Sequence, residues 1–352
     1  MNILFLTRYG RLGASSRIRT LQYLPYLATL GIDVIVEPLF PDEYLKRLYA
    51  KEPTNWMGIF KDYLHRLFYL STVRKFDLLW IEKELFPNLP SFIEQFLNSL
   101  GVRYVVDYDD AIFHGYDLSN NLYKKLLSKK IDKVMNRATL VVCGNEYLAA
   151  RARQANVRRV EILPTVIDLN RYEVFEKDIS NQIVIGWIGS PSTVKYLDLL
   201  IPALKTISSE FPIQLRVIGA KFAEKDLDVS CRLWSEKSET TEIQNFDIGV
   251  MPLLNSPWER GKCGYKLVQY MACGVPVIAS PVGVNREIVR HGVNGYLAES
   301  TMEWVTAFRQ ICSNSQMRHS LGLEGRHTVE DHYCLQVTAP RLARLLKETA
   351  NR

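Results

Sequence analysis

The chain has 352 residues, 47% hydrophobic and 23% charged, an ordinary globular composition long enough for about two domains. Its six cysteines (Cys143, Cys231, Cys263, Cys273, Cys312, Cys334) lie far apart, which excludes a disulfide framework or a C-x-x-C zinc site and fits the reducing cytosol. The net charge of +6 sits wholly in residues 1–165, which hold 23 Lys+Arg against 17 Asp+Glu; residues 166–352 hold 21 of each. A basic half points either to an anionic partner or to a solvated charged surface. The opening run MNILFLTRYG is too short for a signal peptide, and no stretch reaches the roughly 18 apolar residues of a membrane span.

Short apolar runs alternate with longer helical patterns from the first residue. NILFLT, IDVIVEPL, FDLLWIEK, RYVVDYDD, TLVVCGN and VEILPT read as strands of a parallel sheet covered on both faces, because they are rich in Val, Ile and Leu without strict alternation. The first turn, T-R-Y-G-R-L-G-A-S-S-R-I-R, offers Gly10 and Gly13 for close backbone approach, with Arg17 and Arg19 in the next helix. Its G-x-x-G spacing lacks the middle glycine of a dinucleotide fingerprint, so an acceptor or a donor phosphate fits better than a nicotinamide cofactor. Tyr44–Phe76 interleaves Trp56, Ile59, Phe60, Tyr63, Leu64, Leu67 and Phe68 with Lys61, His65, Arg66, Arg74 and Lys75. Leu122–Arg137 carries Lys124, Lys125, Lys129, Lys130, Lys133 and Arg137. Both suit amphipathic helices on an anionic membrane; equally, their apolar sides are core and their basic sides merely wet. No nucleic-acid-binding motif accompanies the charge.

Asp107, Asp109 and Asp110 follow the fourth strand as D-Y-D-D, with His114 close behind. Three carboxylates so close repel one another unless compensated. Three readings stay open: a D-x-D metal site on a nucleotide diphosphate, direct hydrogen bonding to sugar hydroxyls, or helix capping by one aspartate with the others solvated. Residues 166–182 are polar and aperiodic and read as a linker. A second strand set follows: IVIGWIG, IQLRVIG, Val229–Leu233, FDIGVMPL and GVPVIAS. After the first of these, Lys195 lies six residues beyond Gly189 in G-S-P-S-T-V-K. Ser190, Ser192, Thr193, the turn amides and the ammonium suit an anion, although a lone lysine after a turn is commonly just exposed. The run Trp258–Glu287 places Gly261 and Gly264 with Arg260, Lys262 and Lys266 ahead of a helix and a buried strand. That flexible, positive loop suits a phosphate-bearing ligand. Helices are expected near Met302–Cys312, Gln316–His332 and Gln336–Thr349. The simplest assembly is α/β, with two Rossmann-like halves facing each other across a cleft and ligands at the strands' carboxyl ends.

Taken together, these residues resemble the retaining GT-B glycosyltransferases of family 4, the group 1 glycosyl transferases. The strongest part is YKLVQYMACGVPVIASPVGVNREIVRHGVNGYLAES, supported by N-E-Y-L-A at 145–149, L-P-T-V-I-D at 163–168 and D-I-G-V-M-P-L at 247–253. The resemblance implies an N-terminal acceptor domain (1–165), a linker (166–182) and a C-terminal nucleotide-sugar domain (183–335). It also implies a last helix (336–352) returning to the first domain. The implied activity is transfer of a sugar from a nucleotide-sugar to a glycan or lipid-linked acceptor, with retention and with no metal or cofactor. Polysaccharide biosynthesis in the cytoplasm, peripheral to the membrane, is the implied setting. Lys195 falls where the family places a diphosphate-binding lysine. Asp109, Asp110 and His114 fall near the sugar pocket, and Lys266 joins them and Lys195 as a catalytic candidate. Gly13, Gly189, Ser190, Thr193, Arg260, Lys262, Gly264, Gln269, Gly283, Val284 and Glu287 are the implied donor contacts. The chain departs from the family pattern where two glutamates seven residues apart are usual: Gly261 and Gln269 stand there, and Ser190 replaces a frequent arginine. Gln269 keeps a carbonyl able to accept a ribose hydroxyl bond. Those departures also leave open a GT-B protein that binds a nucleotide-sugar without turning it over, or an epimerase.

Overall fold

The computed structural model describes residues 1–175 and 181–351. Twelve strands are named among them: β1 Asn2–Tyr9, β2 Asp33–Phe40, β3 Leu78–Glu82, β4 Tyr104–Tyr108, β5 Leu140–Cys143, β6 Val160–Ile162, β7 Ile183–Ile188, β8 Ile213–Ile218, β9 Val229–Arg232, β10 Ile248–Met251, β11 Val277–Ala279 and β12 Gly295–Leu297. All their pairings are parallel. The continuous apolar runs explain this, since β3, β4, β5 and β7 are buried along their whole length and helices cover the faces.

The chain divides into two compact units. The first comprises Met1–Thr165, Gly261–Cys263 and Thr338–Arg352; the second comprises Val166–Arg260 and Gly264–Val337. The first unit's sheet runs β2-β1-β3-β4-β5-β6 and the second's runs β12-β11-β10-β7-β8-β9. In the first, the chain turns back over β1 to reach β3. In the second, it turns back over β7 to reach β10. Those reversals are the topological switch points, where the crevice outside the strands' carboxyl ends receives ligands in such sheets. The first core packs Leu4, Ile81 and Val106 with Ile131, Val134 and Met135 of the helix Lys130–Arg137. The second sheet has a cluster on each face: Leu267, Val268 and Met271 in one, Leu204, Phe308 and Ile311 in the other.

The last helix, Leu335–Ala350, counts with the first unit from Thr338 onward. Its Thr338 hydroxyl lies 3.0 Å from that of Tyr23, and its Ala350 carbonyl accepts from Arg103 at 2.8 Å. Part of the expected linker, residues 176–180, lies outside the described residues. Its first half is packed rather than free: Ile167 bridges Cys334, and Tyr172 is buried with its hydroxyl donating to Glu239 at 2.9 Å. Val166, Ile167 and Tyr172 are apolar anchors at irregular spacing, which periodicity does not detect.

Candidate functional site

At the switch point of the second unit, β7 is buried to its last residue and delivers the chain to Gly189, whose N–H donates to Ile218 O at 3.0 Å. The turn closes on Ser190. Its carbonyl accepts from the Thr193 N–H at 3.0 Å and the Thr193 hydroxyl at 3.1 Å, and its own hydroxyl lies 2.8 Å from that of Ser192. A 3-10 helix, Val194–Leu200, follows and is anchored by buried Tyr196, Leu197 and Leu200. Lys195 is exposed, with its ammonium 5.4 Å from the Tyr196 ring. Lys266 enters from the helix Tyr265–Ala272. Its ammonium sits 4.8 Å over the ring of Trp187, within cation–π range. A Cβ at residue 189 would lie 2.5 Å from Trp187 Cη2 and 3.0 Å from Lys266 Cε. Glycine there lets the lysine stem reach the turn. The helix is pinned to β7 by Tyr270, whose buried hydroxyl accepts the Ile188 N–H at 3.0 Å.

The other donor candidates of this unit pack around the same helix start. Gly264 caps the helix at φ +66, and Ile288 and Val284 lie against it. Gly283 abuts the Arg260 carbonyl; the Arg260 side chain is exposed and donates to Asn255 at 2.9 Å. Val284 is buried as the N-cap of the short helix Asn285–Ile288, in which Glu287 is exposed. Gln269 is placed differently. It is 3% exposed, and its amide donates to the Tyr172 hydroxyl at 3.2 Å. This side chain belongs to a buried Gln269–Tyr172–Glu239 chain, not to an open surface where a ribose would meet it.

The first unit's switch point, between β1 and β3, holds buried charges. Glu82 ends β3 at 1% exposure. Its Oε2 accepts from the Arg8 N–H at 3.0 Å and the Ser16 hydroxyl at 2.7 Å, while Oε1 has no hydrogen-bond partner. Burial pushes this carboxyl above its ordinary range. Lys83 follows with φ +67, donating to Ser15 Oγ at 3.0 Å and lying 2.9 Å from Asp109. Asp107 is gripped twice by Arg19, at 3.0 and 2.5 Å, with both side chains buried. Asp110 meets Lys262 at 2.8 Å. Each aspartate of D-Y-D-D therefore has a cation of the chain beside it. Burial alone would raise Asp109, but Lys83 and the Ser15 hydroxyl outweigh it and hold the carboxyl below its usual range. The Asp109 carboxylate so held can accept hydrogen bonds.

Lys262 reaches Asp110 because residues 261–263 are threaded tightly. Asn145 donates to the carbonyls of Gly261 and Lys262, both at 3.0 Å, and Cys263 Sγ donates to Asp109 O at 3.1 Å. A Cβ at Gly261 would lie 2.5 Å from that of Ala111, so no side chain fits where the resemblance expects a glutamate. His114 stands apart from this group. Its Nδ1 is 2.9 Å from Asp117 and its Nε2 2.8 Å from the Tyr147 hydroxyl, so both nitrogens are engaged by neighbours. Gly13 sits before the short helix Ala14–Arg19, against Tyr9.

Two carboxylates escaped the sequence reading. Glu82, with Lys83, closes the apolar run LLWI; a charge pair ending a buried parallel strand was the available signal. Glu259 is buried and accepts from the hydroxyls of Tyr196 and Ser256. Its signal was S-P-W-E, a helix-start pattern with Ser at the cap and Glu three residues on.

Residues 182–314, which hold the whole Gly189–Lys266–Glu287 constellation, match the family described as "Glycosyl transferases group 1". Over this stretch the chain is similar to the group 1 glycosyl transferases. The chain is 31% identical over 163 residues to N-acetyl-alpha-D-glucosaminyl L-malate synthase of Bacillus anthracis, covering 44% of this chain and 42% of that protein. The chain spans about half, or less, of the length of the curated relatives it matches. Among solved structures, sucrose-phosphate synthase from Thermosynechococcus elongatus superposes with a TM-score of 0.74 at 14% identity, covering 99% of this chain and 98% of that one. Anabaena HepE in complex with UDP-glucose superposes with a TM-score of 0.71 at 19% identity, covering 99% and 100%. These likenesses establish the fold, which is GT-B with two Rossmann-like units.

Proposed function

We propose that the protein is a glycosyltransferase that moves a sugar from a nucleotide-sugar to a glycan or lipid-linked acceptor, with retention and with side-chain cations in place of a metal ion. The observation that carries this reading is Lys266 laid over Trp187 at the Gly189 turn, at the carboxyl end of a switch-point strand in the group 1 stretch. HepE, solved with UDP-glucose, supports a nucleotide-sugar as the ligand class. In the proposed reaction, the bond from the sugar C1 to the diphosphate oxygen breaks. A bond from C1 to the acceptor oxygen forms on the same face, and the acceptor proton passes to the departing phosphate. Negative charge grows on the diphosphate, where Lys195, Lys266 and the Ser190–Thr193 donors would stabilise it. Asp109, held as a carboxylate by Lys83, and Asp110 would orient hydroxyls. A lipid-linked acceptor would bring the enzyme to a membrane surface.

The test is release of nucleoside diphosphate from a panel of nucleotide-sugars. Lys195→Ala and Lys266→Ala should each lower turnover by about 10²–10³, the usual effect of losing one such donor. EDTA should leave it unchanged, and NMR of the product should show the donor's anomeric configuration. Full activity in both lysine variants would overturn these roles. A second reading, donor binding without transfer, is favoured by Gly261 and by the buried Gln269; it predicts nucleotide binding with no diphosphate release.

A further inference from the structure

The helix Trp56–Leu70 is apolar on two sides. Its inner side is fixed. Tyr63 packs on Phe86 with ring centroids 5.2 Å apart and donates to Pro87 O at 2.8 Å; Arg66 is buried and donates to Thr7 O at 2.6 Å and Glu37 O at 3.1 Å. The spacing of 63 and 66 marks the inward face. Residues 56, 60, 64 and 67 make a second stripe that borders this face. Trp56, Met57, Phe60, Leu64, Leu67 and Phe68 are all exposed, Trp56 by 75%. Soluble helices do not ordinarily show a continuous apolar stripe to water. The short helix Leu122–Leu126 repeats the pattern: Leu122 and Leu126 are 80% and 83% exposed. The two helices are tied to adjacent residues of one segment, since Tyr123 donates to Asn88 O at 2.7 Å and Tyr63 to Pro87 O. Both helices therefore lie beside residues 87–88 of the first unit.

Its charge is one-sided. Residues 56–75 contain exposed Lys61, Arg74 and Lys75 and a single acid, Asp62. Residues 122–137 contain Lys124, Lys125, Lys129 and Lys133 and a single acid, Asp132, which Arg151 neutralises at 2.6 Å. A second copy of the chain would set this positive surface against itself. Fifteen residues span about 22 Å as a helix, less than the roughly 30 Å hydrocarbon core. No helix among the described residues is long and apolar enough to cross a membrane. Exposed Trp, Phe and Leu ringed by lysines, whose stems can lie along apolar surface while the heads stay in water, match the interface of an anionic bilayer.

We propose that the first unit docks on anionic lipid bilayers through the outward apolar faces of helices Trp56–Leu70 and Leu122–Leu126, with their lysines on the headgroups. The segment that fastens both helices begins at Lys83, at the β1/β3 switch point, so the docked face and that site share one short stretch of chain. Docking does not depend on the sugar transfer proposed above.

The test is sedimentation of the full chain with phosphatidylcholine vesicles, with and without phosphatidylglycerol, alongside light scattering. Wild-type protein should pellet with the anionic vesicles and be released by salt. The Trp56→Ser/Phe60→Ser/Phe68→Ser variant should bind roughly tenfold more weakly, melt at the wild-type temperature and release nucleoside diphosphate in solution as wild type does. Lys61→Glu/Lys125→Glu should lose the preference for anionic lipid. Wild type left in the supernatant at low salt would overturn the proposal. So would a triple variant that pellets like wild type, or a wild-type dimer that the triple variant dissociates, which would assign the face to a second copy.

Discussion

At residue 189 a single methyl group separates two outcomes. With glycine, Lys266 lies over Trp187 with its stem at the turn; with alanine, the new Cβ would meet both side chains. Gly189→Ala should therefore lower nucleotide-sugar turnover at least roughly tenfold while costing only the 1–3 kcal/mol typical of local overpacking, readable by steady-state kinetics beside urea unfolding. In the first unit, Glu84 accepts from Lys130 at 2.5 Å, Arg8 at 3.1 Å and the Tyr116 hydroxyl at 2.8 Å, and it is almost wholly buried. Burial would raise its pKa, but Lys130 and Arg8 outweigh burial and hold it below the ordinary 4.5. Because the folded value is the lower one, the stabilisation is complete above 4.5 and lost as pH falls through the folded value. Glu84→Gln would leave buried Lys130 and half-buried Arg8 short of a counter-charge and should cost about 3–5 kcal/mol at neutral pH. The gap between wild type and variant in urea should narrow as pH drops below 4.5; a gap independent of pH would refute the linkage.

Among elements, the helix Leu335–Ala350 makes the sharpest stability prediction. Leu342, Leu345 and Leu346 are buried, and residues from Thr338 onward count with the first unit. Leu346→Ala should cost about 2–5 kcal/mol and should lower the hydrogen-exchange protection of β1 and β3 more than that of β7 and β8. The strands were legible because unbroken Val/Ile/Leu runs mean burial on both faces, and the three closing helices were legible from their period. β12 was missed, being only Gly295–Leu297 inside a turn-rich stretch. The turn after Gly189 leads into a 3-10 helix, Val194–Leu200, which apolar spacing does not separate from an α-helix. In Tyr44–Phe76, Tyr63 and Arg66 face inward, while Trp56 and Phe60 are exposed.

At the scale of the whole molecule, each sheet reverses its strand order once, and polar chemistry gathers at each reversal. Composition and run length were enough to expect two parallel sheets. They could not show which side chains meet there, because Lys266–Trp187, Lys262–Asp110 and Lys83–Asp109 join residues distant in sequence. His114 and Gln269 show the converse. Each sits beside a motif in sequence, yet their polar groups are engaged by Asp117, Tyr147 and Tyr172; the Asp117 contact is a local i,i+3 pair, while those with Tyr147 and Tyr172 join residues distant in sequence. Donor binding at the Gly189 turn is tested most directly by thermal melting of the full chain with saturating nucleoside diphosphates and nucleotide-sugars, run in parallel on Lys266→Ala. A ligand at 100 times its Kd adds about 2.7 kcal/mol to stability. At least one nucleotide should therefore raise the wild-type melting temperature by several degrees, and Lys266→Ala should lose most of that rise. No rise with any nucleotide, or the same rise in both proteins, would contradict the placement of the donor site.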